Sequence, residues 1–471
     1  DQRDAFTFVS LVKACAKKKD LSTGSRLHAD ILKNGLLEKS PYLASTLINM
    51  YAKCGQLSKA EGVLKTVPTR DVVCWSALIA GYVQQGHGHE ALNCFESMLR
   101  EGVSPDAITF TCILKACSKM GAIDKGKKIH HEIVRRGLLE KDIVLGTALV
   151  DMYAKCGMLK QAQQVLEDLP FRNIVSWSVL IAGCVQHGQS HEALNCFERM
   201  QSEGLPPDVV TFVCLLKACG SIGAIDKGKR IHDEIAGKGL LATDVMLGTA
   251  LVDMYAKCGH FVRAHQVLDQ LSVRDVVSWS VLIAGYTLHG QGHDAINSFD
   301  SMQIEGLSPD VVTLISVLKA CGGIGLLDRG KQIHDDIVTR GLLDRHAILA
   351  NALVDMYGKC GALTKAQDVF NQLPSRDIAS WNSLINGYAQ LGEFENVLHS
   401  IDKMIEENEI PDSVTFVNLL TSCSHAGLVA KSQTIFGVMN KDYNIVPTFE
   451  HHSCIIDVFG RAGQLYMAAT L

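Results

Sequence analysis

The sequence is poor in aromatic residues, which make up 6% of its 471 positions, and it holds no long apolar run. A membrane-spanning helix needs roughly 18 to 20 uncharged apolar residues. The best runs, such as residues 75–83, reach about half of that, so a transmembrane role is not expected. An excess of positive charge is also missing, since 45 basic side chains against 50 acidic ones give a net charge of −5. Gripping nucleic acid by bulk charge is excluded; a locally positive groove is not. Sixteen cysteines occur, but no two lie three apart, so there is no Cys-x-x-Cys metal knuckle. Nor are they packed as densely as in a small disulfide-framed secreted domain, and a reduced compartment is expected. The chain opens at Asp1 without an Arg- and Ser-rich leader, which places any targeting segment outside it. What remains, 47% hydrophobic and 20% charged, is the composition of a soluble globular protein, not of a disordered, collagenous or fibrous one.

Length alone suggests about three domains, but the four tryptophans overrule it. Trp75, Trp177, Trp279 and Trp381 are each 102 residues apart, the mark of a repeat array. Three units of 35, 36 and 31 residues fill each period. In this register one continuous array occupies 1–471, with units at 5–40, 41–71, 72–106, 107–142, 143–173, 174–208, 209–244, 245–275, 276–310, 311–346, 347–377, 378–412, 413–448 and 449–471, the last truncated. Each reads as two short helices. In the unit at Val276, Trp279, Leu282, Ile283 and Tyr286 recur at helical spacing, and a turn at Gly290 and Gly292 leads into Ala295, Ile296, Phe299 and Met302. Such helices are too short to stand alone, so stacked pairs must bury their apolar faces. The fold class is all-α, an α-solenoid.

Several patterns imitate chemistry. Gly121, Gly126 and Lys127 have phosphate-loop spacing, as do Gly223 to Lys229 and Gly325 to Lys331. Each lacks the following Ser or Thr, carrying Lys128, Arg230 or Gln332, and each joins two helices where the motif needs a strand. An interhelix turn is expected. Cys15, Cys117, Cys219 and Cys321 are followed 13 residues later by His28, His130, His232 and His334, which could bring sulfur near imidazole; two ligands without a third do not make a zinc site. His130-x-Glu132 and His232-x-Glu234 match half of the zinc deaminase signature, without Pro-Cys-x-x-Cys. Every conspicuous polar residue has copies one period away, which argues against a single catalytic centre. The segment is read as non-enzymatic, with no cofactor and no metal.

The polar residues that the repeat retains are more informative. The fifth residue of the 31- and 35-residue units is always Ser, Thr or Asn, and the final residue is Asp or Asn. The pairs are Ser45/Asp71, Ser76/Asp106, Thr147/Asn173, Ser178/Asp208, Thr249/Asp275, Ser280/Asp310, Asn351/Asp377 and Asn382/Asp412. Such residues cap helices and build turns. They also suit a reader of bases, with one repeat facing one nucleotide. The 36-residue units carry Val9, Thr111, Val213, Ile315 and Val417 at the fifth position and are left unassigned, although Thr111/Asp142 is guanine-like.

Over almost its whole length the chain resembles the plant pentatricopeptide repeat proteins of the PLS subfamily. The motifs that carry the resemblance are Val-Val-Ser-Trp-Ser-x-Leu-Ile-Ala-Gly-Tyr, Ala-Leu-Val-Asp-Met-Tyr-Ala-Lys-Cys-Gly and Gly-x-x-Pro-Asp in units of 35, 36 and 31. Tetratricopeptide repeats keep a uniform 34-residue period instead. The ending, from Pro447 to Ser453 and then Gly460 to Gly463, resembles the last repeats before an extension or cytidine deaminase domain, and implies a fragment of a longer protein. The resemblance implies a right-handed superhelix of helix-turn-helix repeats that binds single-stranded RNA, N-terminus toward the 5′ end, in mitochondria or chloroplasts. It further implies a role in C-to-U RNA editing, with editing-complex proteins or a deaminase supplied in trans as possible partners, and no membrane. RNA stability or processing without editing, or a protein-binding helical scaffold, are the alternatives. By the family's code, Ser or Thr with Asp reads guanine, Thr147/Asn173 adenine, and Asn351/Asp377 and Asn382/Asp412 uracil, giving GGnAGnGGnUU from the unit at Pro41 to the unit at Ile378. Val73, Val144, Val175, Met246, Val277 and Ile348 match the position that sandwiches bases, while Tyr42 and Ala379 depart from its aliphatic pattern. Lys53, Lys155, Lys257, Lys359 and Arg461 match a phosphate-contacting position; solvated side chains are the other reading.

Overall fold

A computed structural model of the chain describes residues 5–37, 40–68, 70–242, 244–343 and 345–464; residues 465–471, the end of the truncated last unit, lie outside these. Among the described residues there are 27 α-helices, one short 3-10 turn and no strand. The helices fall into two compact bodies, residues 1–224 and 225–471. Within each body a first helix packs against its own second helix and against the first helix of the next pair, so each is a run of α-solenoid. No helix is long and apolar enough to cross a membrane.

Unit lengths have a local cause. First helices open at Ala5, Pro41, Val72, Ala107, Ile143, Ile174, Val209, Val245, Val276, Val311, Ala347, Ile378, Ser413 and Phe449. In the 35-residue units the second helix runs 13 residues, as in Ser190–Ser202; in the 31-residue units it stops after 9 or 10, as in Leu159–Asp168 and Leu363–Asn371. One turn of helix accounts for the difference. The 36-residue units instead lengthen the first helix to 14 residues, ending at the left-handed Gly121, Gly223, Gly325 and Gly427. At the same place in the first unit Lys19 holds φ 55°, a conformation that costs any residue with a Cβ.

First helices are buried on nearly every side, and second helices bury one stripe, such as Ala91, Leu92, Phe95 and Met98. Each large side chain so buried is worth about 1.5 to 3 kcal/mol. Close approach between first helices needs a missing side chain. A Cβ on Gly183 would lie 2.5 Å from Ala154 Cβ, and one on Gly285 would lie 2.5 Å from Ala256 Cβ. The phosphate-loop look-alikes resolve the same way. Gly121 and Gly325 end first helices, while Gly126 and Gly330 sit inside second helices where an added Cβ would meet Met152 and Met356 Sδ at 2.6 and 2.5 Å.

The four histidines that follow the cysteines have tyrosine partners. Nδ1 of His28, His130, His232 and His334 pairs at 2.9 to 3.0 Å with the hydroxyls of Tyr51, Tyr153, Tyr255 and Tyr357. The tyrosine lies 23 residues further on in the next unit, so the bond ties neighbouring units together. Burial pushes all four imidazoles below the ordinary histidine value. Glu132 is likewise committed, to Arg135 at 2.6 Å and Arg136 at 2.7 Å.

Candidate nucleic-acid interface

Positions 2, 5, 9 and 13 of a helix fall within about 80° of one another around its axis, so they form one face. On that face of each first helix, position 2 is exposed: Val73 47%, Val144 62%, Val175 55%, Met246 56%, Val277 53% and Ile348 58%. Ile108, Val210, Val312 and Val414 continue the pattern in the 36-residue units. An apolar side chain left in water at a fixed place in repeat after repeat marks a surface meant to be covered. Ala379 is exposed too. Tyr42, however, is engaged, its hydroxyl accepting from Lys13 Nζ at 2.6 Å with the ammonium 5.0 Å from the ring centre.

The final Asp or Asn of each unit caps the next first helix. Cap bonds run to Oδ1 from the backbone N–H three residues on: Cys74 to Asp71 at 2.9 Å, Thr109 to Asp106 at 2.8 Å, Ser176 to Asn173 at 2.9 Å and Thr211 to Asp208 at 2.8 Å. Ser278 to Asp275, Thr313 to Asp310 and Ser380 to Asp377 follow at 2.8 Å, and Thr415 to Asp412 at 2.9 Å. Capping uses one oxygen of each group and leaves a second polar atom for another partner.

The fifth-position residues fall into two sets. In the 35-residue units Ser76, Ser178, Ser280 and Asn382 are buried at 4 to 8% exposure and joined to the capping carboxylate through a threonine. Ser178 Oγ lies 2.6 Å from Thr211 Oγ1, which lies 2.6 Å from Asp208 Oδ1. The same path runs from Ser76 through Thr109 to Asp106, at 2.6 and 2.7 Å, and from Ser280 through Thr313 to Asp310. Asn382 donates directly to Asp412 at 3.0 Å and accepts from Thr415 at 2.7 Å. Burial pushes the Asp412 carboxyl up, but bonds from Thr415 and Asn382 outweigh it and hold the group below its ordinary value.

In the 31-residue units the arrangement is looser. Ser45 donates to Tyr42 O at 3.0 Å, and Thr147 to Ile143 O at 2.8 Å. Thr249 and Asn351 are half-buried. At the relay position Ser176 and Ser278 turn their hydroxyls back to the main-chain oxygens of Asn173 and Asp275, at 2.9 and 2.8 Å, Cys74 has no hydroxyl, and Ser380 donates to Asp377 Oδ1 at 2.7 Å. Asn351 bonds the Asp377 side chain, whose carboxyl the Ser380 hydroxyl chiefly holds below its ordinary value. Asn351 Oδ1 is buried without a partner among the described residues, an orphan acceptor on this face.

The expected phosphate-contacting cations are exposed but mostly committed. Lys155, Lys257 and Lys359 pair with Asp151, Asp253 and Asp355 at 2.7 to 2.8 Å, and Arg461 pairs with Asp457 at 2.9 Å. Lys53 has Asn49 where the others have Asp. Exposed pairs of this kind hold by about 0 to 1 kcal/mol and yield readily to a phosphate. Lys115, Lys217 and Lys319, at position 9 of the 36-residue units, are exposed on the same face and make no ion pair among the described residues. In the sequence they are marked by the recurring Lys-Ala-Cys at 115–117, 217–219 and 319–321.

The comparisons with known proteins agree with this architecture. The PPR repeat family matches residues 70–119, 172–221, 274–323 and 376–425, and PPR repeats match 43–72, 108–138, 147–174 and 348–378. A chloroplastic pentatricopeptide repeat-containing protein of Arabidopsis thaliana is 35% identical over 460 residues, 98% of this chain and 56% of the relative. A mitochondrial one is 33% identical over 466 residues, 99% of this chain and 67% of the relative. The chain thus spans between about half and two thirds of these relatives' length. Among solved structures, the maize pentatricopeptide repeat protein PPR10 is similar with a TM-score of 0.64 at 20% identity, covering 100% of this chain and 73% of its own. PPR10 in complex with an 18-nt psaJ RNA element gives 0.55 at 15%, covering 98% and 81%. From the repeat matches and these relatives together, this chain belongs to the pentatricopeptide repeat family.

Proposed function

We propose that this chain binds single-stranded RNA in organelles, one base per 31- or 35-residue unit. In 5′ to 3′ order from the unit at Pro41 the preferred sequence is GGnAGnGGnUU. The observation that carries this reading is the recurrence, on one face of successive first helices, of an exposed apolar side chain beside a capping acid and a polar fifth residue. A base stacked on the apolar residue would meet the polar pair with its Watson–Crick edge, and each stacked base contributes roughly 1 to 3 kcal/mol in single-strand binders. Lys53, Lys115, Lys217 and Lys319 supply cations along the same face, so a net charge of −5 does not forbid binding.

A PLS-type register and a role in specifying a C-to-U editing site are part of the same proposal. The deaminase would lie outside this segment or be supplied in trans. Selection of RNA bound by the purified chain from a random pool tests the reading. Enrichment of GGnAGnGGnUU supports it; enriched sequences without that spacing of G, A and U, or no retained RNA, contradict it.

A further inference from the structure

The threonine that joins the polar pair stands at the third position of the next unit, 33 residues from the serine it touches. Its proton can be located. A carboxylate only accepts, so at 2.6 Å from Asp208 Oδ1 the Thr211 hydroxyl must be the donor. Ser178 Oγ, 2.6 Å from the same Thr211 oxygen, then has to donate to it, to Ile174 O at 2.7 Å or to Asp208 Oδ1 at 3.4 Å. In every case the single proton of Ser178 stays inside the protein, and only a lone pair is left to face a ligand. Ser76, between Thr109 and Val72 O, and Ser280, between Thr313 and Val276 O, are in the same position.

In the fourth copy the same threonine sets the opposite polarity. Asn382 Nδ2 donates to Asp412 Oδ1 at 3.0 Å, which turns Asn382 Oδ1 toward Thr415 Oγ1 at 2.7 Å, and this shorter contact takes the hydroxyl proton in place of Asp412 Oδ1, 3.0 Å from the same hydroxyl. The amide is held with its oxygen inward, leaving one N–H to face a ligand.

We propose that Thr109, Thr211, Thr313 and Thr415 are positioning residues for base choice. Each belongs to one unit and fixes which hydrogen-bond polarity the preceding 35-residue unit presents. The inference rests on the one-base-per-repeat reading above. Ser with Asp becomes two acceptors, which a guanine N1–H and N2–H₂ edge satisfies and the bare N1 of adenine does not. Asn with Asp becomes a donor beside an acceptor, which fits a uracil carbonyl and N3–H. The 36-residue units, whose own fifth positions are mostly apolar, thereby act on the specificity of the unit before them.

The test is equilibrium binding of wild type, Thr211→Val and Thr211→Ser to two synthetic RNAs, GGUAGUGGUUU and the same chain with A at the fifth nucleotide, which faces Ser178/Asp208. Valine keeps the shape and the cap N–H but removes the hydroxyl. The expected result is a preference for G of about tenfold or more in wild type, reduced at least threefold in Thr211→Val and restored in Thr211→Ser. The preference for A over G at the fourth nucleotide, read with a third RNA that carries G there, should stay unchanged in all three. Thr313→Val, read at the eighth nucleotide, gives the same test should Thr211→Val fold poorly. A Val variant that keeps the full wild-type ratio overturns the relay while leaving the base assignment standing. A wild type that does not distinguish the two RNAs overturns the base assignment and the relay with it.

Discussion

The 35- and 31-residue units carry the same polar pair in sequence but build two different sites from it. Where the next first helix has threonine at its third position, the fifth residue is buried and wired to the acid, as in Ser178, Thr211 and Asp208. After the 31-residue units the third position is Cys74, or a serine that either turns back to its own helix start, as Ser176 does to Asn173 O, or bonds the cap, as Ser380 does to Asp377, and Thr147 bonds only its own helix. Threonine and serine offer the same hydroxyl, so chemistry alone does not separate the two sites. The lesson is that a recognition position in a stacked array is completed by its neighbour, and a unit's own two residues do not define it.

The largest expected effect breaks the stacking that brings the two classes together. Gly183, on the first helix of a 35-residue unit, packs against Ala154 of the 31-residue unit before it. Gly183→Val should destabilise the chain by about 3 kcal/mol, the upper range for forcing atoms into a packed core. Chemical denaturation followed by circular dichroism measures it, and a loss below about 0.5 kcal/mol, the scale of an ordinary surface change, would show that the two first helices do not need this approach.

A smaller effect sharpens the comparison from the other side of the helices. In three periods a tyrosine on the 35-residue unit's first helix bonds the short second helix before it: Tyr82 to Glu61 at 2.5 Å, Tyr286 to His265 at 2.8 Å and Tyr388 to Gln367 at 2.9 Å. In the remaining period the residue is Cys184, and it lines a cavity of about 370 Å³ with Gln163 and Cys196. Cys184→Tyr should fill that space and bond Gln163, raising stability by about 1 kcal/mol, as cavity filling commonly does. Thermal melting checks it; a lower melting temperature would mean that the second period is packed around its cysteines.

Much of the fold was legible because a 102-residue period with Gly- and Pro-punctuated stripes leaves few alternatives to stacked helix pairs. The capping role of Asp71, Asp106 and their copies was one of two readings open from the residues. The structure places the cap bonds on one oxygen, which leaves both readings compatible. What stayed hidden were partners defined by stacking. Ser76 and Thr109 are 33 residues apart, and His130 and Tyr153 are 23 apart, in different units. Periodicity shows that each residue recurs but not which recurring residue it meets. Lys115, Lys217 and Lys319 recur as plainly as the cysteines beside them, but an exposed lysine has no distinguishing pattern until the face it shares is known.

The measurement closest to the central claim uses the one pair that ends in an amide, Thr147/Asn173. Asn173→Asp keeps the size and the cap to Ser176 N but replaces a group that can donate with one that only accepts. Binding is measured for wild type and variant on two RNAs that differ only at the fourth nucleotide, A or G. The account predicts that wild type prefers A and the variant prefers G, by about 1 kcal/mol each way, the worth of one net hydrogen bond. If both proteins rank the two RNAs identically, one repeat does not face one base in this register.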